Sequence, residues 1–172
     1  MAGIDVQTYM FSDDGRIPNN PDLPLLVYRA ALPAAGVMTQ ACRALFQRNG
    51  WGGIWVNGVY SYHHYHSTAH EVLGVVSGFA SIQFGGEGGQ TFEVAAGDVV
   101  VIPAGVGHCN RGASADFRVV GAYPAGQTWD LCRGDPGERP RVLFNIRETP
   151  LPATDPVYGD QGPVLEHWKP PA

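Results

Sequence analysis

Charge is scarce in this chain. Asp, Glu, Lys and Arg make up 16% of its 172 residues, against about 25% in an ordinary globular domain. The 11 basic and 16 acidic residues sum to a formal charge of -5, and Lys and Arg form no run. A phosphate backbone would be repelled rather than gripped, which sets nucleic acid aside as a partner. No uninterrupted apolar run approaches the roughly 20 residues of a membrane-spanning helix. The opening MAGIDVQTYM lacks the basic and apolar regions of a secretory signal, so the expected location is the cytoplasm. Cysteine is sparse as well. Cys42, Cys109 and Cys132 form no C-x-x-C pair, cannot all be bridged, and suit a reducing compartment as ordinary buried residues. No repeat, linker or low-complexity segment divides the chain. One domain over residues 1–172 is expected, with a barrel core near 51–123 and a wrapping tail over 124–172.

Glycine and proline are plentiful, at 23 and 14 residues, in a composition that is 44% hydrophobic. Many turns between short elements favour an all-β fold. The segment from Asp5 to Phe11 reads as an edge strand, and LLVYRA as a short buried one. Apolar residues near helical spacing from Gly36 to Arg48 predict a single helix, stopped at Gly50, whose apolar face closes the barrel. From Trp51 onward seven strands are predicted: WGGIWVNG, VYSYHHYH, EVLGVV, FASIQF, TFEVAA, DVVVIP and FRVVGAY. They fit a barrel or a sandwich. The run FGGEGGQ lacks the spacing of a phosphate-binding loop and reads as a hairpin turn. Beyond Tyr123, frequent prolines separated by VLFNI and VLEHW predict an ordered tail that wraps the barrel, with no second helix assigned there.

The chemistry concentrates between Gly58 and Gly78. His63, His64, His66, His70 and Glu71 fall within nine consecutive residues. On a strand, His64 and His66 share a face about 6 to 7 Å apart along the chain, near enough to share an ion. Glu71 has the opposite parity, so a turn through Ser67 to His70 is needed to bring it to the same ion from a returning strand. His63 points to the other face, and His70, in the turn, is out of position to join them. The spacing of His66 and His70 would suit a helical zinc site, but Ser67 stands where such a site requires Glu. His167 reads as a solvated residue of the tail.

Two spacings then resemble a known family. Gly58, His64, His66, Glu71 and Gly78 match the first motif of the cupin superfamily at every marked position, and Gly97, Pro103, Gly105 and His108 match the second. One position departs: Gly112 stands where the family usually has Asn, and Asn110 lies two residues earlier. The resemblance covers residues 58–112. It implies a double-stranded β-helix, a jelly-roll barrel, in which His64, His66, Glu71 and His108 hold one divalent transition metal. Cys109, next to His108, should turn away from the ion.

Three imidazoles and a carboxylate suit iron, manganese, nickel, cobalt or zinc, and affinity order alone does not choose among them. Tyr60 and Tyr62 share the parity of His64 and are expected to frame the interior with Trp55, Arg118 and Tyr123. Tyr62 is the candidate catalytic proton donor. The resemblance implies a metal-dependent enzyme acting on a small organic acid, diketone or phenol, of dioxygenase, decarboxylase, isomerase or lyase type. The alternative is a non-catalytic small-ligand binder or sensor. Unpaired sheet edges and the habits of the family point to a homodimer.

Overall fold

The computed structural model describes residues 4–33 and 36–172. Nine strands form among them: β1 (Val6–Tyr9), β2 (Leu25–Tyr28), β3 (Trp51–Asn57), β4 (Glu71–Ser77), β5 (Phe79–Phe84), β6 (Gln90–Ala95), β7 (Val99–Ile102), β8 (His108–Ala113) and β9 (Arg118–Pro124). Three α-helices accompany them: α1 (Met38–Arg48), α2 (Arg141–Glu148) and α3 (Pro163–His167). The strands build two antiparallel sheets, one in the order β1-β2-β7-β4-β9-β3 and one in the order β6-β5-β8. The fold is an all-β jelly roll. As expected, the amino-terminal strand lies at a sheet edge.

The central strands of the larger sheet are buried on both faces, and side-chain alternation assigns each residue to one of two cores. Leu25 and Val27 of β2, Leu73 and Val75 of β4, and Val100 and Ile102 of β7 point inward, against Ile82 and Phe84 of the smaller sheet. Leu26, Tyr28, Val72, Val76, Val99 and Val101 point outward, against Cys42, Leu45 and Phe46 of α1 and Trp168 behind α3. The predicted helix therefore forms but covers the outer face of the larger sheet instead of closing the barrel. Its approach is close. A Cβ at Gly74 of β4 would lie 2.5 Å from Cys42 Sγ.

Three local expectations are corrected. The segment VYSYHHYH is not a strand; only His64 and Tyr65 pair, in isolated bridges to His108 and Cys132. Strand β8 had no place among the predicted seven, because HCNRGA carries no apolar alternation and its last three residues are exposed. The tail is not free of helix. VLFNI lies within α2, which buries Val142 and Ile146 one turn apart, and VLEH lies within α3, opened by Pro163. Both runs were too short for a helical period to stand out.

A bulge in β3 matters for the site. The pairing with β9 shifts between Gly52 and Trp55, and Gly53 there adopts φ +66°, which only glycine tolerates freely. Trp51 and Trp55 have equal parity, yet Trp51 packs in the outer core and Trp55 in the inner one. The extra residue re-aims the strand.

Candidate metal centre

His108 opens β8, and His64 lies directly across from it. Each backbone N–H donates to the other residue's carbonyl, at 3.2 and 2.9 Å, and the two rings stand 4.0 Å apart. The His66 carbonyl accepts the Gly105 N–H at 2.8 Å. Glu71 opens β4 with the inward parity of Leu73 and Val75, so its carboxylate enters the barrel. The reversal between His66 and Glu71 is clasped by the tail. Asp130 accepts the N–H of Ser67 at 2.6 Å and its hydroxyl at 2.5 Å, Gln127 accepts the His70 N–H at 3.0 Å, and the Thr68 hydroxyl donates to the Thr128 carbonyl.

One ring nitrogen from each of His64, His66 and His108 lies within 4.8 Å of the other two, and all three residues are buried. The other nitrogen of each ring is occupied. Nδ1–H of His64, His66 and His108 donates to the carbonyls of Tyr62, Asp130 and Val106, at 2.9, 2.5 and 3.2 Å. A carbonyl can only accept, so each Nδ1 carries the proton and each neutral ring turns an Nε2 lone pair inward. Glu71 Oε2 lies 3.2 Å from Nε2 of both His66 and His108. It is buried and accepts no hydrogen bond. Imidazole lone pairs gathered around a donor-less carboxylate oxygen repel one another unless a cation sits among them. The donor set fits a metal ion, and this buried histidine group could bind one.

The electrostatics agree. Burial and then the neighbouring His108 push the His64 imidazole down to about 3. Burial would also depress His66, but Glu71 outweighs it and raises the ring's proton affinity. Burial would raise Glu71, yet His66 and His108 hold it below the usual carboxylate range. Glu71 draws positive charge toward His66, while His64 stays neutral with its lone pair free.

These residues form one end of a cavity of about 490 Å³. Trp55, Val56, Val59, Tyr60, Leu73, Tyr123 and Trp129 supply most of its walls. The Tyr123 hydroxyl donates to Glu71 Oε1 at 3.1 Å and accepts from the Trp55 indole at 2.9 Å. Glycine makes this possible, because a Cβ at Gly121 would lie 2.1 Å from the Trp55 ring. Tyr60 and Trp129, about half exposed, stand at the mouth.

Of the residues expected to frame the interior, Trp55, Tyr60 and Tyr123 do so, and two do not. Arg118 shares the outward face of Val120 and Ala122 on β9. Tyr62 is stacked behind Tyr60, at 4.9 Å, under the Arg133 guanidinium, and lines a separate cavity with His63, Arg16 and Glu87. The irregular backbone before His64 breaks the strand alternation that would have turned it inward. Cys109 is buried beside His108 and outside the cavity lining. His70 is fully buried but engaged at both nitrogens, accepting from the Ala104 N–H at 2.9 Å and donating to the Pro150 carbonyl at 3.1 Å. His167 is exposed. Trp129 and Asp130 were not anticipated; their only trace in the sequence is an aromatic–acid pair in the tail, at no set spacing from either motif.

Comparison with known proteins agrees with this architecture. The protein YjlB of Bacillus subtilis (strain 168) is 48% identical over 164 residues, which span 95% of this chain and 97% of that one. Two solved structures are similar to parts of the chain at low identity. A cupin 2 domain-containing protein from Halorhodospira halophila is 15% identical, covering 84% of this chain and 79% of its own at a TM-score of 0.37. Acireductone dioxygenase from Bacillus anthracis, solved with a cadmium ion in its active centre, is 18% identical, covering 58% of this chain and 76% of its own at a TM-score of 0.38. The family described as the cupin domain matches residues 53–120. That span contains His64, His66, Glu71 and His108, and the chain belongs to the cupin superfamily.

Proposed function

We propose that this cupin holds one divalent transition metal per chain through His64, His66, His108 and Glu71, and acts as a metal-dependent enzyme on a small oxygen-bearing organic molecule. The observation that carries the reading is the buried Glu71 Oε2, 3.2 Å from two imidazole nitrogens and without a hydrogen-bond donor. An ion bound there would act as a Lewis acid toward a ligand's oxygen atoms. The walls contribute exclusion of water and a choice of orientation. Tyr123 supplies the nearest proton. Burial and Glu71 raise its phenol above the ordinary tyrosine range, so at neutral pH it keeps its proton and remains available as a donor. Small organic acids, diketones and phenols all present oxygens to such a site, and dioxygenase or decarboxylase chemistry would follow from a redox-active ion, isomerase or lyase chemistry from zinc.

A non-catalytic binding or sensor role draws support from the same tyrosine, whose hydroxyl is already committed to Glu71 and Trp55. The two readings separate in one experiment. Full-length protein purified without oxygen is analysed for metal and assayed against acid, diketone and phenol panels, alongside Tyr123→Phe and Tyr62→Phe. Retained metal with turnover lost only in Tyr123→Phe supports an enzyme with Tyr123 as donor. Turnover lost in Tyr62→Phe instead would return that role to Tyr62, and metal-loaded protein that binds ligands but turns none over leaves the sensor. The barrel and tail are taken as one folding unit, in a cytoplasmic homodimer pairing through the edge strand β1; light scattering that returns an 18.4 kDa particle would contradict the dimer.

A further inference from the structure

The cavity beside the candidate metal centre has a one-sided charge distribution. Glu71 is its sole ionised wall residue among the described residues, and no Lys or Arg contributes to the lining. Two guanidiniums of flanking segments are held elsewhere: Arg118 donates to the Phe117 carbonyl, and Arg133 lies over the Tyr62 ring in the neighbouring cavity. Away from the histidines the walls are aromatic and aliphatic. Tyr123 and Trp129 lie nearly parallel, 6.2 Å between centroids, with Trp55 hydrogen-bonded to the same tyrosine. Val56, Val59, Tyr60 and Leu73 complete the enclosure.

Resting on the metal reading above, we infer that this cavity selects singly charged acids with an uncharged, flat or apolar body, and rejects diacids, phosphorylated compounds and sugars. The charge balance follows from the tautomers. Three imidazoles protonated at Nδ1 are neutral, so a divalent ion with Glu71 leaves a single net positive charge, which one carboxylate or phenolate neutralises. A second anionic group would point along the cavity into rings and methyl groups. It would lose hydration there and meet no cation, and burial of an unpaired charge is disfavoured. Sugar hydroxyls fare little better, since Asn57, the Tyr60 hydroxyl and the Trp129 indole N–H are the polar side-chain groups left for them along the walls. A planar ring, by contrast, matches the faces of Trp129 and Tyr123. The volume of about 490 Å³ lies within the range of sites for small organic ligands.

The test is a matched pair of ligands on the full chain loaded with zinc: salicylate, one charge with two oxygen donors on a ring, and 4-carboxysalicylate, which adds a second charge on the far side of the same ring. Binding is followed by calorimetry. Salicylate is expected to bind more tightly by about tenfold or more, the cost of the second unpaired charge. Trp129→Arg, a change at the exposed mouth, should narrow or reverse that preference by supplying the missing cation. Zinc content is measured on each sample. Zinc-loaded protein that binds 4-carboxysalicylate as tightly as salicylate, or binds neither acid, overturns the substrate class and leaves the metal reading standing. Protein that takes up no zinc overturns both.

Discussion

His66 and His70 are four residues apart, both buried, and placed in opposite circumstances. At the barrel mouth, His66 has one nitrogen tied to the Asp130 carbonyl and the other facing Glu71 across 3.2 Å with no hydrogen bond made. On the seam between barrel and tail, His70 has one nitrogen on the Ala104 amide, the other on the Pro150 carbonyl, and its ring against Trp168 at 4.8 Å. Burial is therefore no guide to ligation. The discriminating observation is whether the ring's hydrogen bonding is complete. His70, completed, fastens structure, and His66, left half-completed beside Glu71 and two further imidazoles, is available to an ion.

The largest effect expected from breaking this contrast is on metal content. His64→Ala or His108→Ala should lower the metal per chain at least about tenfold, measured by elemental analysis, while His63→Ala, outside the cluster, should stay near the parent value. Full occupancy without His64 and loss without His63 would reverse the assignment.

Next comes stability on the seam. His70→Ala removes a buried ring and strands the Ala104 amide, while the Pro150 carbonyl keeps the Gln127 side-chain amide, so urea unfolding should show a loss of about 3 kcal/mol with metal binding retained. The pH dependence sharpens the same point. Burial holds His70 down at about 4, whereas in the unfolded chain it titrates near its ordinary 6.5. Between those values the unfolded state binds the extra proton, so the contribution is complete above about pH 6.5 and declines as pH falls toward 4, by up to roughly 3 kcal/mol. An imidazole resonance of His70 that titrated near 6.5 in the folded protein would refute this.

The smallest effect belongs to the clasp between the two regions. Asp130→Ala keeps the carbonyl that orients His66 but removes the carboxylate that holds Ser67. Metal affinity should fall about tenfold and stability by about 1 kcal/mol. Unchanged affinity would mean that the turn holds its shape without the tail.

Much of this was legible in the residues, for reasons that differ by element. β4 and β7 were visible because strands buried on both faces must be apolar throughout, and α1 because Cys42, Leu45 and Phe46 keep a helical period against the sheet. The spacing of His64, His66 and Glu71 requires a reversal, and the reversal is there. What stayed hidden depends on backbone irregularity or on distant contact. Alternation fails across residues 58–63, which removes Tyr62 from the interior, and β8 is a polar edge whose strand character comes from pairing with β5. Trp129 and Asp130 reach the site from some sixty residues away, a distance over which no local pattern speaks.

That last separation bears on the order in which the molecule can be completed. The histidines, Glu71 and the strands that carry them precede residue 127, but the groups that orient His66 and hold the reversal come afterwards, at Gln127, Thr128 and Asp130, and the anchor of His70 comes only at Pro150. A growing chain therefore displays its donors before it can set them. Tight capture of an ion would wait for the segment around Asp130, and a chain cut short before residue 127 would keep all four candidate ligands while losing the groups that set them.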